Sequence, residues 1–365
     1  MPSSSDYPSV AANLQPFIDN QTVPGIVTLL ATKDKILSLN AAGYADVEAK
    51  KPMRTDSLCW VASMNKSMTA AAVMILVDEG KVRLDDPVEK YLPEFKPQWY
   101  IEEQDEDHML LKHPQSTVIV RNLLTHTSGF PYSTGVEQPT LDMVDLASRV
   151  YDYVSTPLLF EPGTKNSYSN AGINTAGRIV EVVSGLSYGE FMKERLFKPC
   201  GMVDATFRMT TRQLERVPVT YAANLGDRPW APMEIAKLHY PLDDPARQPV
   251  PGNGLFATAL DSARFCQMLL SGGLAYDGHR VLSEDAVRTM TTKQTPDAVP
   301  NEYGLGLAID PNGYGHGGSD HTFMHVNPQR GLISELLVQM YTSDEKRMKL
   351  FLDEWNSQVA SYPVG

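Results

Sequence analysis

From Met64 to Val77 the chain is apolar on almost every side of a helix. Met64, Met68, Ala71, Ala72, Val73, Met74, Ile75, Leu76 and Val77 leave no polar face for solvent. A helix of this kind has to be wrapped by other layers, and a chain of 365 residues is long enough to build them in one large domain or two closely packed ones. Gly80 follows in the place of a C′ glycine. The helix opens on Ser63-Met64-Asn65-Lys66, and the i, i+3 spacing puts Ser63 and Lys66 on one face, a turn apart. A serine at the mouth of a core helix stands at the floor of whatever cleft lies above it. Its hydroxyl is a weak nucleophile near neutral pH unless a base is beside it, and a lysine serves as that base when burial or a neighbouring cation keeps it from full protonation.

Outside this helix, residues 8–19 read as a helix with Val10, Leu14, Phe17 and Ile18 on one face, and residues 25–32 and 35–46 read as strands around Lys33-Asp34. Residues 96–117 read as an acidic, loop-like insertion, and residues 118–200 as helical, including a helix over 171–183. The Pro-rich stretch 201–255 reads as mostly loop, and a helix returns over 261–270. Strand patterns follow at 304–309, 322–327 and 332–340, then a terminal helix over 344–358. Strands at both ends with helices between predict an α/β (α+β) fold: an antiparallel sheet flanked by helices, with a mainly helical lobe inserted. The expected division is residues 1–83 plus 256–365 for the sheet domain and 84–255 for the lobe, with the active site in the cleft between them.

Composition narrows the function classes. The net charge of −12 opposes nucleic-acid binding through the overall field, and no run of 18 apolar residues predicts a membrane span. Cys59, Cys200 and Cys266 form neither a disulfide framework nor a zinc pattern and read as small buried hydrophobes. The start, Met1 to Asp6, carries no signal-peptide pattern, consistent with a cytoplasmic protein or with a periplasmic or secreted one whose leader has been removed.

Two further segments carry chemistry. Tyr168-Ser169-Asn170 follows the Pro162-Gly163 turn and precedes a helix; a phenol there can relay a proton if a cation holds its pKa down, and an asparagine can hold an ammonium or a substrate carbonyl. His316-Gly317-Gly318-Ser319 precedes the strand from Thr322, and its glycines allow another backbone to approach closely. The N–H of Ser319 could then join that of Ser63 as an oxyanion hole.

In order and spacing these three segments resemble the serine β-lactamase and penicillin-binding-protein superfamily, with its Ser-x-x-Lys, second-loop and Lys-Thr-Gly motifs. The stretches Leu84-Asp85-Asp86-Pro87-Val88 and Leu123-Leu124-Thr125-His126-Thr127-Ser128-Gly129 extend the likeness over nearly the whole chain. A Tyr-Ser-Asn second motif is similar to the class C-like branch, which includes carboxylesterases, D-amino peptidases and amidases. The resemblance implies that Ser63 is acylated, that Lys66 takes or shares its proton, that Tyr168 relays protons in deacylation, and that Asn170 positions Lys66 and the substrate. Asn170, His316, Gly317, Gly318 and Tyr132 are then the substrate-binding set. No metal or organic cofactor is implied, and the partner is a small-molecule ester, amide or β-lactam. His316 replaces the usual lysine of the third motif. A mostly neutral imidazole grips a substrate carboxylate less well, and Gly317 lacks the usual hydroxyl, so neutral esters are the expected substrates. β-Lactam or D-alanyl peptide hydrolysis, and a non-catalytic β-lactam sensor, use the same residues.

Other patterns read as structure. Ser343-Asp344-Glu345-Lys346 repeats the Ser-x-x-Lys spacing, but Ser343 reads as a helix N-cap. Gly185-Leu186-Ser187-Tyr188-Gly189 matches a nucleophile elbow, yet a helix precedes it, and Ser187 with Glu190 reads as a capping box. His316, His321 and His325 lack an acidic partner at metal-binding spacing, His126 reads as a structural hydrogen-bonding residue, and the acids at 102–107 read as a solvated loop.

Overall fold

A computed structural model describes residues 10–364 except Pro97, Gly226, Asp227, Ala236 and Ser343. The expected antiparallel sheet has seven strands. From one edge to the other they are Ala308–Asp310, Gly313–Gly318, Thr322–Asn327, Leu332–Val338, Gly25–Ala31, Ile36–Asp46 and Lys51–Pro52. The two central strands come from opposite ends of the chain and are buried along their whole length. Their pairing sets Ile26 opposite Val338 and Leu30 opposite Ser334.

Alternation along these strands splits the core into two layers. Ile26, Leu30, Leu336 and Val338 face the terminal helices Val10–Asp19 and Glu345–Ser361, packing with Leu14, Phe351 and Trp355. Val27, Leu29, Ile333 and Leu337 face the other way, toward Phe265 and Cys266 on the helix Ala259–Leu270. That second layer is continuous with Met68, Ala72 and Ile75 of the helix Asn65–Asp78, and through them with Leu123, Val150, Ile173 and Val180 of the lobe helices Val120–Leu124, Leu146–Ser155 and Asn170–Ser184. The apolar helix is therefore the shared axis of sheet and lobe. Every residue from Asn65 to Leu76 is buried, as its lack of a polar face requires. Ser63 stands at its entrance.

Several expectations are corrected. Residues 96–117 contain a hairpin, Tyr100–Gln104 with Met109–Lys112, whose acids point outward and whose β-formers Tyr100, Ile101 and Leu111 pair across it. The stretch read as mostly loop holds the strands Thr220–Leu225 and Arg228–Met233, joined in parallel by Met340–Tyr341. Pro229 and Pro232 hide this from the sequence, yet they lie in an edge strand, the part of a sheet that tolerates proline. The third motif precedes the strand Thr322–Asn327 as read, but His316 to Gly318 also lie in a strand of their own, Gly313–Gly318, that pairs with it. Of 304–309 only the end is strand: at Gly306 (φ +65°) a Cβ would fall 2.6 Å from the Lys66 carbonyl oxygen, so the chain turns there against the helix instead of pairing. Ser343 lies outside the described residues, and the terminal helix is capped by Asp344, whose side chain accepts from the Arg347 amide. The Ser187–Glu190 capping box is present. Among the described residues no helix is long and apolar enough to cross a membrane.

Candidate active site

The turn Ala62–Met64 delivers Ser63 to the head of the core helix. Ala62 holds φ +47°, a left-handed conformation that an alanine adopts at a cost of the order of 1 kcal/mol and that the surrounding packing must enforce. Part of that packing is the glycine strand. At Gly318 a Cβ would lie 2.6 Å from the Val61 carbonyl oxygen and 3.1 Å from Ala62 Cβ, so only a glycine lets the strand approach the nucleophile turn this closely. Thr322 Oγ1 donates to the same Val61 carbonyl at 3.3 Å. Ser319 follows immediately, exposed at the end of the strand.

Lys66 is completely buried. Its Nζ lies 3.0 Å from Ser63 Oγ, donates to the Gly252 carbonyl at 2.6 Å, and stands 4.7 Å above the Tyr168 ring. Burial holds its pKa well below the ordinary lysine value; Glu137 opposes that and Lys237 adds to it. An amine depleted of its third proton can donate one N–H to Gly252 and turn its lone pair to the Ser63 hydroxyl. This is the geometry of a base beside a nucleophile.

The nearby Ser63 hydroxyl draws the Tyr168 pKa down, but burial outweighs this and pushes the phenol above its ordinary value. The phenol is thus a protonated donor, not the phenolate that a neighbouring cation would favour. His126 packs its ring against it with centroids 4.4 Å apart. The Ser169 amide donates to His126 Nδ1 at 3.1 Å, in keeping with the structural role read from the sequence. His126 itself sits at φ +59°.

His316 reaches Tyr168 and not Ser63, with Nε2 at 3.4 Å from the phenol and 3.0 Å from the Tyr303 hydroxyl. Its Nδ1 faces the Gly317 carbonyl at 2.7 Å and must carry the proton, because a carbonyl only accepts. Burial and the nearby Lys66 push His316 down to about 3, so the third motif presents no cation at neutral pH. Gly317 lies under the Phe323 ring. Tyr132 is 45% exposed and stacks on Tyr168 at 6.3 Å.

Asn170 departs from its expected contact. Both amide atoms are buried without a hydrogen-bond partner, and Lys66 is held by Gly252 instead. The reason is local: Asn170 begins the helix that Ser169 caps, and its backbone N–H is tied to the Tyr132 carbonyl, which fixes where the side chain can reach. The sequence reading missed Gly252 and Tyr303. The Val250–Asn253 turn is stitched to the core helix by Asn65 and Thr69 as well as Lys66, and its only signal is a Pro-Gly pair in a Pro-rich stretch.

The decoys resolve elsewhere. His321 Nδ1 meets the Met340 carbonyl and His325 Nε2 meets Asp310, each at 2.9 Å, and no cluster suited to a metal occurs among the described residues. All three cysteines are buried, and burial drives the Cys59 thiol up to about 12, which removes it as a nucleophile.

Comparison with known proteins adds a decisive match. The family model described as Beta-lactamase covers residues 10–356. The chain belongs to that family. It is a serine hydrolase. Relatives include Esterase EstB of Burkholderia gladioli, 32% identical over 60% of this chain and 56% of that protein. Penicillin-binding protein 4 of Amycolatopsis lactamdurans is 31% identical over 86% of this chain and 80% of the relative. Unliganded simvastatin synthase (LovD) from Aspergillus terreus shares the fold, with a TM-score of 0.81 at 20% identity over 98% of both chains.

Proposed function

We propose that this member of the Beta-lactamase family is a carboxylesterase that works through an acyl-enzyme on Ser63. The observation that carries the reading is a wholly buried lysine amine 3.0 Å from a serine hydroxyl. Lys66 takes the Ser63 proton as Oγ attacks the ester carbonyl carbon. The oxyanion is held by the N–H groups of Ser63 and Ser319. Collapse breaks the bond to the alcohol oxygen, which leaves with a proton supplied through Lys66 or the Tyr168 phenol. Water, deprotonated by the same pair, then attacks the acyl carbon and frees the acid and Ser63. Asn170, Gly317, Gly318 and Tyr132 line the substrate's place.

Two features favour neutral esters over β-lactams: His316 is uncharged, and Gly317 offers no hydroxyl to a carboxylate. The esterase among the relatives is in line with this. Penicillin-binding protein 4 among them supports a second reading, β-lactam or D-alanyl peptide hydrolysis by the same residues. The test is turnover of a nitrophenyl butyrate and of a chromogenic cephalosporin by the wild type and by Ser63→Ala. Steady ester turnover lost in the variant supports the esterase. Faster cephalosporin turnover favours the second reading, and a single stoichiometric burst with both favours a sensor.

A further inference from the structure

Lys66 leans on the Gly252 carbonyl, and Gly252 is itself held by a buried polar cluster in the lobe. Glu137 ends the short turn Gly135–Glu137 and is fully enclosed with Arg149 and Tyr153. Its Oε1 accepts from the Tyr153 hydroxyl at 2.5 Å, from Asn174 Nδ2 at 3.0 Å and from Arg149 Nη1 at 3.4 Å. A carboxylate only accepts, so the Asn174 amide must point its nitrogen at Glu137 and its oxygen away. That oxygen accepts the Gly252 N–H at 2.9 Å. The carboxylate thereby fixes the orientation of Asn174, Asn174 fixes Gly252, and Gly252 fixes Lys66. We infer that Glu137 is a positioning residue for Lys66, acting through Asn174 and Gly252 and through its own negative charge.

The charge reaches Lys66: Glu137 is among the groups that act on the amine, and Arg149, its ion-pair partner, is not. The pair meets through one oxygen and one nitrogen, and both Glu137 Oε2 and Arg149 Nη2 are buried without a partner. Around Lys66 stand the hydroxyls of Ser63 and Tyr168, the imidazoles of His126 and His316, the Lys237 ammonium and Glu137. Among these Glu137 alone supplies negative charge. Burial drives the Lys66 amine toward neutrality, yet on the proposed ester-hydrolysis path the same amine must also hold the Ser63 proton long enough to return it. The field of Glu137 stabilises that protonated form.

The role is separable from mere packing by its effect on pH dependence, and the test rests on the esterase reading. With a nitrophenyl butyrate as substrate, kcat/KM rises with pH as Lys66 loses its proton. In Glu137→Gln the negative charge is gone, the protonated amine is less favoured, and the rising limb is expected to move to lower pH by about one unit. Because Glu137→Gln strands Arg149, Glu137→Gln/Arg149→Met is measured as well, and the same direction of shift is expected. Asn174→Leu keeps the charge but releases Gly252; kcat should fall with the limb in place. A limb unmoved in a folded Glu137→Gln or double variant, with wild-type turnover still abolished by Ser63→Ala, overturns the role of Glu137 and leaves the esterase reading standing. Ester turnover that survives Ser63→Ala overturns both.

Discussion

Tyr303 donates its hydroxyl to His316 Nε2 at 3.0 Å, so that nitrogen is an occupied acceptor and the imidazole keeps its proton on the far side, on Nδ1 against Gly317. A lysine at this place would meet the same phenol as a cation. The exchange alters what the rim of the site attracts without touching the nucleophile.

His316→Lys should therefore raise kcat/KM for a hemisuccinate ester relative to a butyrate ester by about tenfold, the worth of one charge-assisted hydrogen bond. Nitrophenyl esters of the two acids, assayed side by side, give the ratio. An unchanged ratio would count against the charge argument.

Lys66→Ala removes the base and should lower ester turnover by about a thousandfold. In the wild type, burial holds Lys66 below the ordinary lysine range, so the rate should rise with pH and level off before that range is reached. His316, pushed down to about 3, stays neutral from pH 5 to 8 and should add no inflection there. A step near pH 6.5 that disappears in His316→Gln would contradict this.

Tyr168→Phe keeps the packing against His126 but removes the donor. Acylation should still give a burst of nitrophenol, and the steady rate should fall about a hundredfold because the phenol that relays the water proton to Lys66 is lost. Rapid-mixing kinetics separate the two phases, and a normal steady rate would remove Tyr168 from deacylation.

Glu335 is buried in the central strand beside Cys266, and burial raises its pKa well above the usual carboxyl value. The folded protein keeps this proton while the unfolded chain releases it above about pH 4.3. The stability it carries is complete below that pH and is lost as pH rises toward the folded value. Glu335→Gln cannot ionise, so its melting temperature should gain on the wild type by several degrees between pH 4 and pH 8. A constant difference across that range would refute the assignment.

How much of this was legible in the sequence depends on whether the signal was local. The core helix, the all-buried strand from Gly25 and the Ser63–Lys66 spacing each follow from periodicity within one turn or one strand, and all appear as read. The hairpin Tyr100–Lys112 and the strand Arg228–Met233 did not, because acids and prolines at solvent edges look the same in a loop. Gly252 and Tyr303 carry no pattern of their own; they matter only through what folding places beside Lys66 and His316. Asn170 shows the opposite error, a motif position whose expected contact is taken by a backbone carbonyl from a distant turn.

The strand Leu332–Val338 is the neighbour of Gly25–Ala31 and also carries Thr322–Asn327 on its other side. A ribosome must therefore deliver everything from Gly25 to Val338 before the middle of the sheet can close and bring Gly318 against the turn below Ser63. Nascent chains halted short of that strand should be hydrolytically silent, and catalysis should switch on in a single step once it has emerged.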